Sequence, residues 1–247
     1  YANKNAATGK TLNVSAYTVN DGNSGANYNV ATVADTTGVI GKAPLTITAA
    51  TNTKTYDGGV TAAATPAVSG AQPGDTVTGL AEVYANKNAA TGKTLNVSAY
   101  TVNDGNSGAN YNVATVANAT GTINKAPLTL TPVTDTKTYD GTVTSAAAAT
   151  VLGNVAGDAV TVAEQFGSKN VLGTNLSTLS IKPGYTILDG SSADMSGNYA
   201  ITASATAPGT INKAPLTLTP VTDAKTYDGT VTSAAAATVF GNVAGDA

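Results

Sequence analysis

Cysteine, histidine, tryptophan and arginine are all missing from the 247 residues, and every one of the 12 basic side chains is a lysine. With no thiolate and no imidazole, most metal ligation and most nucleophilic or acid–base chemistry is excluded at once. Charge is scarce as well: 11% of residues are charged and the net charge is −3. No basic stripe is available to neutralise phosphates, which argues against nucleic acid and, for the same reason, against anionic membrane surfaces. No apolar run reaches the length of a membrane-spanning helix, so no membrane insertion is expected in this region. Aromatic residues make up only 5%, with two phenylalanines, leaving alanine, valine, leucine, isoleucine and tyrosine to fill any core. The 42% hydrophobic content nevertheless lies outside the charge-rich, apolar-poor range of disordered chains, and folded units are expected. The side chains left over call for no cofactor and favour a non-enzymatic role. A carboxylate pair of the glycosidase kind is the one catalytic arrangement they still allow.

What the chain has in abundance is repetition. Residues 1–34 return unchanged as 84–117, and 125–159 return as 213–247 with only Thr136 against Ala224 and Leu152 against Phe240. Lys-Ala-Pro-Leu starts at Lys42, Lys125 and Lys213, and Lys-Thr-Tyr-Asp-Gly starts at Lys54, Lys137 and Lys225, so successive units step by 83 and 88 residues. Periods of this kind mark a tandem array. The expected organisation is a truncated repeat over 1–41, complete repeats over 42–124 and 125–212, and the front part of another over 213–247. With no initiator methionine and no leader, the chain reads as a window on a longer protein. The complementary phase of its two ends predicts head-to-tail self-association by strand exchange.

Within a unit, apolar residues alternate with threonine, serine or asparagine at period two. Examples are Leu128/Leu130, Leu95/Val97/Ala99, Leu179/Ile181 and Tyr199/Ile201/Ala203. That is the pattern of half-buried strands. Turn clusters such as Gly153-Asn154, Gly157-Asp158 and Asp104-Gly105-Asn106-Ser107-Gly108 separate them. The expected fold is all-β: tandem Ig-like β-sandwich domains of short antiparallel strands, with a β-grasp-like α+β repeat as the alternative. The alanine run Ala146–Ala149 is expected to be a small-residue strand or crossing; a single short helix there would favour β-grasp. Lys125-Ala126-Pro127 joins one unit to the next without a flexible spacer, which predicts a semi-rigid rod.

Candidate ligand positions are few. Tyr56-Asp57 and Tyr139-Asp140 belong to the Tyr-Asp-Gly signature. Its Asp-Gly suits a tight turn and its tyrosine suits a core edge, or the pair forms a ligand patch repeated along the array. Asn-Tyr at Asn110-Tyr111 and Asn198-Tyr199 reads as a turn followed by a core tyrosine, with exposed sugar-stacking as the alternative. The extra residues of the second repeat fall in the loop from Asp189 to Asn198, where Asp189 and Asp194 with intervening serines resemble part of a calcium loop but lack its closing glutamate. Each complete repeat holds one glutamate, Glu82 or Glu164, expected to be exposed on a strand edge. Buried beside lysine and asparagine, the same residue type would instead promote an isopeptide crosslink.

Lys-Ala-Pro-Leu-Thr-Ile/Leu-Thr, then Lys-Thr-Tyr-Asp-Gly, a central Gly-Asp (Gly74-Asp75, Gly157-Asp158) and Asn-Tyr before a Gly-Thr-Ile strand together resemble the YDG-type repeat domains of large bacterial surface adhesins and filamentous haemagglutinin-like exoproteins. The resemblance implies an exported protein on the outer surface of a Gram-negative cell. There the repeats would form a stalk that spaces an adhesive tip from the cell. The competing expectation is a multivalent module for surface glycans or host matrix, with one weak site per repeat and avidity from repetition.

Overall fold

The computed structural model describes residues 1–246. Residues 1–55 and 59–124 cluster as one compact unit, and Tyr56–Gly58 cluster with the chain from Lys125 onward as a second. The chain is all-β. Its single described helix is the 3₁₀ turn Ser196–Asn198, and among the described residues no helix is long and apolar enough to cross a membrane.

In the first unit, a five-stranded sheet runs in the order Thr53–Thr55, Asn118–Asn124, Ala90–Asn103, Thr76–Tyr84, Thr61–Ala62. A three-stranded sheet runs Ala67–Ser69, Ala43–Thr48, Tyr111–Val116, and Ala7–Leu12 pairs with Asp35–Ile40. Alternation does the sorting: Leu45 and Ile47 are buried while Pro44 and Thr46 lie opposite, and Leu45, Ile47, Tyr84, Leu95 and Ile123 are among the most deeply buried side chains.

The second unit reproduces this plan. A four-stranded sheet runs Asp135–Thr138, Thr206–Asn212, Ser177–Ile181, Glu164–Phe166, and a three-stranded one runs Thr150–Leu152, Ala126–Thr131, Tyr199–Thr202. Phe166, Leu179 and Ile211 form its apolar centre, with Tyr139 and Ala207 against them. In each unit the glycine of the Gly-Thr-Ile strand lies under the central aromatic ring. A Cβ on Gly121 would stand 2.8 Å from the Tyr84 ring, and one on Gly209 would stand 2.7 Å from the Phe166 ring. Those distances are below van der Waals contact, so the ring can approach the strand this closely only where no side chain rises from it.

Three expectations are corrected here. The strands are not uniformly antiparallel: Ala43–Thr48 runs parallel to Tyr111–Val116, and Ala126–Thr131 parallel to Tyr199–Thr202. In both units the strand that leads into Tyr-Asp-Gly, Thr53–Thr55 or Asp135–Thr138, also runs parallel to the Gly-Thr-Ile strand. The run Ala146–Ala149 is neither strand nor helix. It is irregular chain whose amides turn to side chains, Ala146 N–H to the Asp135 carboxylate (3.1 Å) and Ala147 N–H to Ser145 Oγ (3.2 Å), so no helix supports a β-grasp repeat. Glu82 and Glu164, finally, are not on an exposed edge. They are 0% and 2% accessible.

Each buried glutamate binds backbone rather than a crosslinking partner. Glu82 Oε2 accepts the Ala50 N–H at 2.7 Å and Glu164 Oε2 accepts the Val133 N–H at 2.7 Å. Ala50 and Val133 follow the first strand of their repeats, so the carboxylate ties the exit of that strand to the neighbouring hairpin. A charge-assisted bond of this kind is stronger than a neutral one.

Candidate functional site

The Tyr-Asp-Gly motif is where local turn chemistry and long-range packing meet. Lys137 Nζ reaches over its own loop to Asp140 Oδ1 (2.7 Å), Thr142 O (2.9 Å) and Thr144 O (3.0 Å), and Asp140 Oδ1 accepts the Thr142 N–H at 2.9 Å. The Lys137 bond and then the Thr142 amide hold the Asp140 carboxyl down to about 2. The aspartate thus closes the turn, and the tyrosine is presented from a loop held by these bonds.

Tyr56 belongs by sequence to the first complete repeat, yet Tyr56–Gly58 is part of the second compact unit. Its hydroxyl donates to Asp158 Oδ2 at 2.9 Å. Tyr199 donates to the same oxygen at 2.7 Å and itself accepts the Val155 N–H at 3.0 Å. The two rings meet edge to face, 5.5 Å between centroids at 77°. Gly58, at φ +79°, lets the loop lie against Val155; a Cβ there would stand 3.2 Å from the Val155 Cγ1. Burial first, and the bond to Asp158 second, push the Tyr199 hydroxyl up to about 12, and the same two causes push Tyr56 far above the usual phenol. Both phenols therefore remain protonated donors near neutral pH. One carboxylate is the shared acceptor, and the arrangement is a clasp.

The Tyr56–Asp158 half of the clasp recurs one repeat on. Tyr139 donates to Asp246 Oδ1 at 3.1 Å, and a Cβ on Gly141 would stand 3.0 Å from Val243 Cγ1, the residue equivalent to Val155. The tyrosine-to-aspartate separations, 102 and 107 residues, differ by the five residues that lengthen the second repeat. Tyr-Asp-Gly of one repeat and Gly-Asp of the following one are thus complementary halves of a single contact. Sequence reasoning missed this pairing because each half is explained locally by a turn. No sequence signal marks it, because any two motifs of a tandem array keep an offset set by the repeat length.

The other expected positions lie apart from the clasp. Asp57 is exposed. Asp189 Oδ1 accepts the N–H of Ser191 (2.9 Å) and of Ala193 (3.1 Å) together with the Ser191 hydroxyl (2.6 Å), while Asp194 Oδ1 accepts the Ser196 N–H (2.9 Å). Each carboxylate folds back on its own turn. Among the described residues no group of three or more acidic or other metal-ligating side chains converges. Asp104, in the matching loop of the first repeat, is buried and gathers the amides of Asn106, Gly108 and Asn110 at 2.7, 2.8 and 3.0 Å. Burial opposes its charge, but the three amides together hold its carboxyl below the usual range.

Beside that loop lies an open groove of about 840 Å³ lined by Tyr100, Asn103, Asp104 and Ser107, and Tyr17, Asn20, Asp21 and Ser24 line a second of about 730 Å³. Tyr100 and Tyr17 are exposed, in contrast to the clasped tyrosines.

The family model of the YDG domain matches residues 41–120 and again 124–207. Together these cover well over half of the chain, which belongs to the YDG domain family. Comparison with curated proteins and with solved structures found no match.

Proposed function

We propose that this chain is a non-catalytic repeat region of a bacterial cell-surface adhesin, a stalk that stands outside the cell and spaces an adhesive tip from it. The observation that carries the reading is the use made of the signature tyrosines. Tyr56 and Tyr139 of the recurring signature donate to Asp158 and Asp246, and Tyr56 is buried in doing so. A signature conserved between copies for cohesion suits a spacer, in which near-identical units are added for length. The adhesin context rests on the resemblance to YDG-type exoproteins. The test is a glycan and matrix-protein array probed with the 247-residue chain, alongside cell adhesion by the parent protein with repeats deleted. A stalk gives no array binding, and adhesion falls as repeats are removed even though the tip is intact.

A second reading is favoured by one observation, the paired grooves at Tyr17 and Tyr100, each with an exposed tyrosine among asparagine, serine and aspartate side chains. Such a surface suits a weak glycan site repeated for avidity. Array binding that rises with repeat number and is lost in Tyr100→Ala would replace the stalk with this module.

A further inference from the structure

A strand edge that the second unit covers with its own loop is left open in the first. In the second unit Thr186–Asp189 pairs on one side with Asp158–Thr161. On its other side the following loop folds back. The Asp189 N–H donates to Ala193 O at 3.0 Å, the Met195 N–H donates to Ile187 O at 2.8 Å, and Leu188 bridges Asp194 antiparallel. This register sets Ala193 opposite Asp189 and Met195 opposite Ile187, and the last two are 5% and 0% accessible. Three residues of loop thus serve as an added strand.

In the first unit the register is the same, with Thr76 opposite Asn103 as Ala159 is opposite Leu188. Val102 and Asp104 therefore hold the places of Ile187 and Asp189, and the Val102 carbonyl points away from Thr76–Tyr84 because backbone groups alternate along an antiparallel ladder. Between Asp-Gly and Asn-Tyr the second repeat has seven residues, 191–197, and the first has four, 106–109. The shorter loop closes on itself, Ala109 N–H to Asn106 O and Tyr111 N–H to Gly108 O, and returns no strand to Val102. Asn118–Asn124 meets Ala90–Asn103 only lower down, at Ala90, Lys93 and Leu95, and Tyr111–Val116 pairs with Ala43–Thr48. Between these edges lies the groove of about 840 Å³, with residues 100–104 on one wall and Val113 among its lining, and Val102 is only half-buried in it. Residues 100–113 build this groove inside a complete repeat, and residues 186–195 close its counterpart from within theirs.

We propose that the open edge at residues 100–104 accepts an extended peptide of a partner protein as an added antiparallel strand. The peptide carries a small residue opposite Asp104 and, two positions on, an unbranched apolar residue opposite Val102. Ala193-Asp194-Met195 of the second unit is the pattern for it. The N–H of the apolar residue donates to Val102 O, and its side chain is set against Val102, with Tyr100 and Val113 lining the same groove. Main-chain bonds supply affinity in such a contact, and the alternate side chains supply selectivity. The inference concerns the first complete repeat by itself and does not rest on the stalk reading.

The probe is the peptide Gly-Ser-Ser-Ala-Asp-Met-Ser-Gly, the sequence of residues 190–197, titrated into the 247-residue chain while amide resonances are followed by NMR. Saturable shifts are expected at Val102, Asp104 and Val113, and none at Ile187 and Asp189, whose edge is already covered. N-methylating the peptide at its methionine removes the N–H offered to Val102 O and is expected to weaken binding about fivefold or more. Exchanging that methionine for aspartate is expected to weaken it about tenfold or more, since the apolar burial is lost. Grafting residues 191–197 in place of 106–109 closes the edge from within and is expected to abolish binding; should circular dichroism show the graft misfolded, the two altered peptides decide. The proposal is overturned if about 1 mM peptide shifts none of these amides, or if N-methylation leaves binding unchanged. Shifts produced there by oligosaccharides and not by the peptide also overturn it, and return the groove to the glycan reading.

Discussion

The two complete repeats bury the same carboxylate and solve its polar problem differently. In the second, the Ser145 hydroxyl stands between two carboxylates, 2.6 Å from Asp135 Oδ2 and 3.0 Å from Glu164 Oε1, and shares its one proton between them. In the first, Ala62 stands where Ser145 does and Asn52 where Asp135 does, and Glu82 Oε1 has no hydrogen-bond partner. The aromatic at the centre changes in step. Tyr84 replaces Phe166, and its hydroxyl binds Asn52 O and Asn52 Oδ1, both at 2.8 Å, and Thr122 O at 3.1 Å. One repeat ties the Lys-Thr-Tyr strand to the core through a tyrosine and an asparagine, the other through a serine and an aspartate. The backbone plan accommodates either set.

The hairpin beyond the glutamate differs as well. Thr76–Tyr84 and Ala90–Asn103 pair along their length in the first unit. In the second, Glu164–Phe166 pairs with Ser177–Ile181 and Asp158–Thr161 with Thr186–Asp189 as separate ladders. Lys182-Pro183-Gly184-Tyr185 interrupts them, because proline brings no N–H to the ladder.

The largest effect expected from testing this comparison is at the ring itself. Phe166→Ala is expected to cost the second unit about 3–5 kcal/mol, the range for emptying a close-packed aromatic site. Tyr84→Ala is expected to cost the first unit at least as much, since it also removes the hydroxyl's three partners. Denaturant titration followed by hydrogen exchange within each unit separates the two. A loss below about 1 kcal/mol at Phe166 would mean that the apolar centre does not hold this unit together.

Next is the alkaline response of the second unit, where Tyr56 and Tyr199 are both raised on one carboxylate. Because the folded values of Tyr56 and Tyr199 are raised, their contribution is fully present below the ordinary phenol value near 10. It is lost as pH rises through about 12 for Tyr199, since the unfolded chain releases its protons first. The second unit is expected to lose thermal stability steeply between those values, and Tyr56→Phe to make the slope shallower. Melting temperatures measured across that window check it, and equal slopes for the parent and Tyr56→Phe would remove Tyr56 from the account.

How much of this was legible in the sequence follows from range. The strands around Leu128/Leu130, Leu179/Ile181 and Tyr199/Ile201 are local objects with a period of two, and they stand where the alternation puts them. The parallel pairing of Ala126–Thr131 with Tyr199–Thr202 joins segments about seventy residues apart, and alternation carries no information about the partner's direction. The clasp was hidden for the same reason, since Asp-Gly satisfies a turn whether or not Tyr56 has Asp158 to find. Glu82 and Glu164 were misplaced because a lone glutamate is ordinarily exposed. Their burial depends on amides at Ala50 and Val133, more than thirty residues away.

Tyr84→Phe comes third. It converts the ring of the first repeat to that of the second without supplying Ser145 or Asp135, and removes the one phenolic proton that Asn52 O, Asn52 Oδ1 and Thr122 O share, of which Asn52 O keeps the Thr122 N–H. A loss of about 1–2 kcal/mol is expected, as for a buried hydrogen-bond group deprived of its partner. If the first unit is unchanged in urea titration, water replaces the hydroxyl and the two polar solutions are interchangeable one atom at a time.

The smallest change sharpens the comparison most, because it should stabilise. Ala62 pairs with Glu82 across Thr61–Ala62 and Thr76–Tyr84, and the bridge between Thr144 and Gln165 sets Ser145 beside Glu164 in the same register. Ala62→Ser therefore brings a hydroxyl to the side of Glu82 Oε1 that lacks a donor, as Ser145 does for Glu164. A gain of about 0.5–1.5 kcal/mol is expected in the first unit, with Ser145→Ala losing a similar amount in the second. Asn52 differs from Asp135 in offering an amide where the serine proton meets a carboxylate, so Ala62→Ser with Asn52→Asp should change stability by more than the sum of the single changes. A double-mutant cycle measures that coupling, and a coupling of zero would show that the serine and the aspartate act on the buried glutamate separately.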